Sequence, residues 1–168
     1  ELAAPVTMGD HVSDFATILD AVEVSRAHLV GFSHGARLAL GVASRTPERV
    51  GHLVLCSATA RPTALARTIV RGWRQVLERG GLEAMSWAAL PAILGNDYLE
   101  THEPVLEGIV RASVRRNSEA GARALLEAME EYPPVAEMAR EVDARTLVLS
   151  ADEDPLVAPE GAARLARL

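Results

Sequence analysis

The sequence is poor in aromatic residues, cysteine and long apolar runs, and each shortage excludes a class of protein. Phe, Trp and Tyr make up 4% of the 168 residues, so a core must be packed mainly from aliphatic side chains and alanine. The single cysteine, Cys56, cannot form an internal disulfide, and its apolar surroundings predict a buried small side chain. No apolar run is long enough to span a membrane and no signal peptide is visible, so a cytoplasmic location is the default expectation.

Features of cofactor and nucleic-acid binding are also missing. Histidines and the cysteine are scattered rather than clustered, so we expect no metal ion, and no dinucleotide fingerprint points to another cofactor. The segment Gly31–Gly35 lacks the Lys-Ser/Thr ending of a phosphate-binding loop. A formal net charge of −6 gives no reason to expect nucleic acid or an anionic membrane as a partner. A small-molecule substrate remains the expected partner, and the oligomeric state stays open.

The motif that organises the chain is Gly31-Phe32-Ser33-His34-Gly35. Residues 27–32 predict a buried strand before it and residues 36–45 a helix after it. A serine at such a turn has a strained backbone and an outward hydroxyl, and we expect both glycines to be needed where strand and helix pass closely. The free N–H groups of a helix N-terminus face a developing oxyanion there. The pattern favours Ser33 as a nucleophile, with the backbone N–H of His34 as an oxyanion donor, over a plain glycine-rich turn.

The neighbouring patterns predict alternating helices and strands. A helix over about 11–24, capped by Thr7 or Asp10, precedes the first strand. Thr46-Pro47 ends the helix after the serine, and residues 50–57 predict a second buried strand. Two strands joined by such a helical crossover should be parallel, with a right-handed connection.

A long helical stretch interrupts this alternation. Residues 62–141 show only helical patterns, separated at Gly80-Gly81, Gly95-Asn96, Asn117 and Pro133-Pro134. A third strand follows at 145–150, and a last helix runs from Pro159 or Glu160 to the end at Leu168. We therefore expect an α/β fold of three parallel strands with flanking helices plus a helical cap insert. Residues 1–60 and 142–168 would form the core, and residues 61–141 the cap.

Together these motifs resemble the α/β-hydrolase superfamily. The strand–GFSHG–helix unit precedes T-P-E-R-V, a strand L-V-L-C-S, the helical insert and T-L-V-L-S-A-D-E-D-P-L-V-A-P, in the order and approximate spacing of the central and later part of that fold. The branch that looks most similar comprises 3-oxoadipate enol-lactonases, cofactor-free haloperoxidase-like esterases and C–C bond hydrolases. The resemblance implies that Ser33 is the nucleophile and Asp154 the acid that orients the catalytic histidine. Without the resemblance, Asp152 or Glu153 could equally be argued.

The resemblance also implies two catalytic groups that this chain does not supply. In the family the histidine follows one further strand, and the second oxyanion donor lies upstream of these motifs. We expect both outside this chain, which resembles an internal fragment with strands five to seven of eight. A surface or hydrogen-bonded role is expected for each histidine, with His102 a substrate contact at best. The five histidines are His11, His28, His34, His52 and His102.

The sequence thus predicts that the parent protein is a serine hydrolase acting on a small ester or lactone through an acyl-enzyme. The isolated chain should have little or no activity. One alternative is a non-catalytic α/β-hydrolase-like binding scaffold; another is the same triad performing C–C bond hydrolysis or haloperoxidase-type perhydrolysis. Haloalkane dehalogenase is disfavoured, because its nucleophile is an aspartate. For Trp73, Trp87 and Tyr98, packing between cap helices is favoured over the lining of an apolar pocket above Ser33. For Arg115-Arg116, solvent exposure at a helix end is favoured over contact with a substrate carboxylate.

Overall fold

The computed structural model describes residues 6–168, and its centre is a parallel sheet of three strands. The strands are β1 (Ala27–Phe32), β2 (Val50–Cys56) and β3 (Arg145–Leu149), in the spatial order β1-β2-β3. Both neighbouring pairs are parallel, so all three carboxyl ends lie at one edge. The predicted α/β class with three parallel strands is confirmed.

Helices flank the strands and form one long insertion. The helices are α1 (Met8–Ala21), α2 (His34–Arg45), α3 (Ala64–Ile93), α4 (Asn96–Arg116), α5 (Glu119–Glu131), α6 (Val135–Arg140) and α7 (Pro159–Leu165), with a 3-10 turn at Pro47–Arg49. We call α3 to α6, which connect β2 with β3, the helical insert. The expectation that the last helix reaches Leu168 was wrong, because α7 ends at Leu165. The division into a core and a cap at residues 61–141 stays a prediction.

Local capping explains where α1 begins. The Thr7 hydroxyl accepts a hydrogen bond from the Asp10 N–H, and the Asp10 carboxylate accepts one from the Thr7 N–H. This reciprocal capping box satisfies two donors that a helix N-terminus otherwise leaves free. Thr7 is therefore the capping residue, and the helix starts three residues earlier than its apolar pattern indicated.

The first helix of the insert contains a sharp break. The sequence predicts a separation of helices at Gly80-Gly81, whereas α3 runs across this point with one non-helical residue, Gly81, at φ 74° and ψ −174°. The Leu82 N–H just beyond it donates to Glu119 Oε1 at 3.3 Å. The carboxylate of α5 therefore caps the second half of α3, which would otherwise start without an acceptor.

The main core lies on one face of the sheet. Val50, Leu53 and Leu55 of β2 are fully buried there, against the apolar side of α2. The end of α5 and α6 also join this cluster, through Tyr132 and Met138. The core is consequently aliphatic and alanine-rich, as the shortage of aromatic residues indicated.

The opposite face of the sheet is open and apolar. Val30 and Phe32 of β1 are 75% and 72% exposed, and Leu147 and Leu149 of β3 are 53% and 46% exposed. Cys56 pairs in register with Phe32 and is only partly buried, so the prediction of a buried cysteine was wrong. The strand-to-strand register puts Cys56 on this open face rather than the packed one. Between residues 6 and 168, no helix has the length and apolarity needed to cross a membrane.

Candidate active site

Ser33 stands at the junction of β1 and α2 in a strained conformation. Its φ is 52° and its ψ −116°, a region that residues with a side chain rarely adopt. The Ser33 N–H donates to the Cys56 carbonyl at 2.8 Å, and the Ser33 carbonyl accepts from the Ala36 N–H at 3.0 Å. These two bonds fix the turn to the neighbouring strand and to the new helix. Ser33 is exposed, so the predicted strained turn with an accessible serine is present.

The two glycines of the motif differ in what they contribute. A Cβ built on Gly31 would lie 2.5 Å from the Gly35 carbonyl oxygen and 2.5 Å from the Ala36 Cα, both backbone atoms that cannot move aside. A Cβ on Gly35 would meet no atom of the described residues within 4 Å outside its own helix turn. The expected steric need is therefore confirmed for Gly31 and wrong for Gly35.

The backbone N–H of His34 is free for an oxyanion. His34 is the first residue of α2, so its N–H has no acceptor within the helix. The positive end of the helix dipole coincides with this N–H and with the Ser33 side chain. The geometry suits stabilisation of negative charge next to Ser33, and the oxyanion role of His34 stays a prediction.

The His34 ring lies among other polar side chains rather than in solvent. It stacks on the Tyr132 ring with centroids 5.6 Å apart, and contacts the His11 ring edge-on at 6.4 Å. Both of its ring nitrogens are buried with no hydrogen-bond partner among the described residues. Burial lowers the pKa of His34 to about 4, with smaller contributions from the charges of His11 and Arg37. The expectation of a surface or hydrogen-bonded ring was wrong for this histidine.

Asp154 is held in a tight loop after β3, residues 150–158, which we call the acid loop. Its Oδ1 accepts hydrogen bonds from the N–H groups of Leu156 and Val157, both at 2.9 Å. The preceding Asp152 is exposed, and Glu153 reaches the Asn96 N–H instead. Of the three acids, Asp154 alone is partly buried and bound to its own loop. This burial and these bonds support Asp154 over its neighbours. The loop leaves the sheet at the same edge as Ser33, and the catalytic role of Asp154 stays a prediction.

The structure does not bring a histidine to this pair. His11 Nε2 is 2.8 Å from the Tyr132 hydroxyl, and His102 stacks on Tyr98. His28 and His52 stack on each other within β1 and β2, before the carboxyl ends of the strands. Within residues 6–168, no histidine hydrogen-bonds to Ser33 or Asp154, and no group of three His, Cys, Asp or Glu side chains could hold a metal ion.

Residues expected in the cap have mixed surroundings. Trp87 and Tyr98 are 42% and 40% exposed, so the expectation that they pack between cap helices was wrong. Trp73 is half-buried, and Arg115 and Arg116 are exposed at the end of α4, as predicted. Two surface cavities, of about 530 and 230 Å³, are lined by neither Ser33 nor Asp154.

Comparison with known proteins identifies the family. A sequence model of the family described as "Serine aminopeptidase, S33" matches residues 5–168, where S33 is a family label. The chain belongs to this family, within the α/β-hydrolase superfamily. It is similar to a protein of Variovorax paradoxus (strain S110) named carbamate hydrolase RutD, with 30% identity over 160 residues, 93% of this chain and 59% of that protein.

One further relative and one solved structure are also similar to this chain. A protein of Bacillus subtilis (strain 168) named 2-succinyl-6-hydroxy-2,4-cyclohexadiene-1-carboxylate synthase is 30% identical over 152 residues, 85% of this chain and 54% of its own. The enol-lactonase from Burkholderia xenovorans LB400 superposes with a TM-score of 0.84 at 23% identity, over 98% of this chain and 62% of its own. At that identity the likeness shows the fold alone. The chain thus spans little more than half the length of the relatives it matches.

Sequence reasoning missed the cluster around His34. Arg37 donates to the backbone carbonyls of Met129, Tyr132 and Pro133, and its guanidinium carbon lies 5.1 Å from the Tyr132 ring centroid. The Tyr132 hydroxyl also donates to the Val6 carbonyl at 3.2 Å. These partners are 92 to 126 residues apart along the chain, so no local pattern could reveal them.

Proposed function

We propose that this protein is a serine hydrolase that cleaves a small ester, lactone or related acyl compound through an acyl-enzyme. The observation that carries the proposal is the strained, exposed Ser33 between β1 and α2, next to the free N–H of His34. A binding protein gains nothing from such a conformation, which costs about 1–3 kcal/mol. The relative named carbamate hydrolase supports a hydrolytic reaction at a carbonyl carbon.

The proposed reaction begins with attack by Ser33 Oγ on the substrate carbonyl carbon. The serine proton passes to a histidine that we place outside residues 1–168, because the chain spans 54% to 62% of these relatives. The carbonyl oxygen becomes an anion that accepts a hydrogen bond from the His34 N–H and from a second donor. One such donor contributes about 2.7–4 kcal/mol in a comparable site.

The second half of the reaction regenerates the serine. Once the alcohol or amine has taken the proton from the histidine, water attacks the acyl carbon and gives a proton to the histidine. The histidine passes this proton to Ser33 Oγ as the bond from Oγ to the acyl carbon breaks and the acid is formed. Asp154 would hold the histidine in the right tautomer, since two N–H groups already fix its Oδ1 in place. The His34 ring takes no part, because its low pKa and its stacking on Tyr132 keep it neutral and directed into the protein.

A binding scaffold is the second candidate. It is favoured by one observation: no histidine of residues 6–168 hydrogen-bonds to Ser33 or Asp154. In a binding scaffold, the serine turn would be an inherited structural feature, and Ser33 would not react with a substrate. The two candidates differ in whether an acyl group is ever transferred to Ser33.

A burst experiment separates them. A longer version of the protein, which includes the sequence that its gene encodes on both sides of this chain, is used here and below as the extended protein. It is mixed with p-nitrophenyl acetate and p-nitrophenyl butyrate under pre-steady-state conditions. We expect a burst of p-nitrophenol stoichiometric with the protein, then a slower steady rate, and neither in Ser33→Ala. Asp152→Asn serves as the control, because this exposed carboxylate lies in the acid loop outside the proposed triad. A folded extended protein that releases p-nitrophenol no faster than Ser33→Ala would support the scaffold.

A further inference from the structure

Two charged side chains next to the proposed catalytic residues bind the ends of helices in the insert. Arg37 comes four residues after Ser33, and Glu153 directly precedes Asp154. Both residues follow the carboxyl end of a strand, and these ends lie at the same edge of the sheet. The insert is thus attached to the core beside both members of the proposed site.

Arg37 donates hydrogen bonds to carbonyl groups at the carboxyl end of α5. Its Nη1 donates to the Met129 carbonyl at 2.8 Å, and its Nη2 donates to the Tyr132 and Pro133 carbonyls at 2.8 and 3.1 Å. A helix leaves its last carbonyls without partners, and they carry the negative end of its dipole. A planar guanidinium can bind several of them at once, whereas a lysine ammonium lacks that fork. Burial lowers the pKa of Arg37, and the three carbonyl oxygens are acceptors that its partly buried guanidinium has in place of water.

Glu153 accepts a hydrogen bond at the amino end of α4. Its Oε2 accepts a hydrogen bond from the Asn96 N–H at 3.3 Å, at the first residue of the helix. The capping position itself is Gly95, which has no side chain to do this. A Cβ on Gly95 would lie 2.7 Å from Glu153 Oε2, so the glycine leaves room for the carboxylate. The acid loop therefore supplies the cap that α4 lacks.

Tyr132 connects the Arg37 contact to the serine turn. It follows the last residue of α5 and is 5% exposed. Its ring stacks on the His34 ring, and its hydroxyl lies 2.8 Å from His11 Nε2. A displacement of the end of α5 would thus press on the residue whose N–H is the proposed oxyanion donor.

We propose that Arg37 and Glu153 are positioning residues that fix the helical insert relative to Ser33 and Asp154, and so set the length of acyl group that the site accepts. This inference rests on the proposed function. Neither side chain needs to contact substrate. Each acts through the helix end that it holds, α5 for Arg37 and α4 for Glu153.

Hydrogen–deuterium exchange tests the attachment without requiring catalysis. In the chain of the printed sequence, Arg37→Met should raise exchange in the last turn of α5 about tenfold, since hydrogen bonds from a charged group are lost. Arg37→Lys should give an intermediate increase, because the ammonium keeps the charge and its donors but lacks the fork that reaches several carbonyls at once. Glu153→Ala should raise exchange of the Asn96 amide about threefold. Arg140→Met and Asp152→Ala are the controls, since Arg140, among residues 6–168, bonds only within its own helix and Asp152 is exposed.

Acyl-chain selectivity tests the consequence for the site. In the extended protein, kcat/KM is measured for p-nitrophenyl acetate and p-nitrophenyl octanoate. Arg37→Lys and Glu153→Ala should change the octanoate-to-acetate ratio at least about threefold, whereas a purely structural role would lower both values alike. An unchanged ratio, or local exchange no higher than in the controls, would overturn the inference. If no variant or wild type hydrolyses any ester while exchange rises as expected, the proposed function fails and the attachment by Arg37 and Glu153 stands.

Discussion

At the scale of single residues, the serine turn depends on one close approach of backbone to backbone. Gly31 lies where the end of β1 meets the start of α2, and Ser33 adopts its positive φ two residues later. Any side chain at Gly31 would push the helix away from the strand. The N–H of His34 would then move relative to Ser33, so a steric requirement in the strand supports the proposed chemistry in the turn.

Paired glycine substitutions test this point. Gly31→Ala should lower the free energy of unfolding by about 2 kcal/mol or more, because backbone atoms cannot make room for the new methyl group. Gly35→Ala should leave it unchanged or raise it by up to about 0.5 kcal/mol, since alanine is the better helix residue and the space is open. Urea unfolding monitored by circular dichroism measures both. Equal losses in the two variants would contradict the steric account.

The neutral His34 ring makes stability depend on pH. Its pKa is about 4 in the folded chain, below the ordinary histidine value of 6.5, so the unfolded chain binds the proton more tightly. The contribution of His34 is complete above pH 6.5 and is lost as pH falls from there towards 4. His34→Phe keeps a ring against Tyr132 but cannot titrate, so its urea midpoint should fall less between about pH 7 and about pH 5. The exposed His102→Gln should follow wild type, and a wild-type slope in His34→Phe would refute this cause.

At the scale of elements, helix ends in the insert are satisfied by side chains from other elements. Glu119 of α5 caps the second half of α3, Glu153 of the acid loop caps α4, and Arg37 of α2 binds the end of α5. Helix termini are the positions where unpaired backbone groups are costly. The insert is therefore fixed at its ends by polar contacts, in addition to its apolar packing.

The break in α3 provides a test of this arrangement. Gly81→Ala should cost about 2 kcal/mol of folding stability, because φ 74° with ψ −174° is open essentially to glycine alone and Glu119 lies against the new methyl group. In the same helix, a Cβ on Gly72 would meet no atom of the described residues within 4 Å outside its own helix turn, so Gly72→Ala should gain about 0.5–1 kcal/mol of folding stability. Thermal unfolding of the two variants gives the comparison. A gain in both would mean that α3 can straighten without loss.

At the scale of the whole molecule, the sequence predicted what depends on local pattern and missed what depends on distant contacts. Apolar runs and the Thr46-Pro47 break located β1, β2 and α2 within a residue or two. The sequence could not predict that the side chains of Cys56 and Phe32 lie on an open face of the sheet. A strand that is apolar throughout has the same pattern whether one face of the sheet is covered or both are. Ser33 and Asp154 lie in short motifs that can be recognised from the neighbouring sequence. The contact between Arg37 and Tyr132 instead forms only because the end of α5 packs against α2 in the folded chain.

The most direct test of the central claim is labelling with a fluorophosphonate, followed by mass spectrometry to locate the modified residue. The printed chain, the protein extended at both ends and the Ser33→Ala variant of the extended protein are treated in parallel, with circular dichroism to show that each is folded. We expect stoichiometric labelling of Ser33 in the extended protein, little or none in the printed chain and none in the variant. A folded extended protein that stays unlabelled, or that carries the label on another residue, would contradict this central claim.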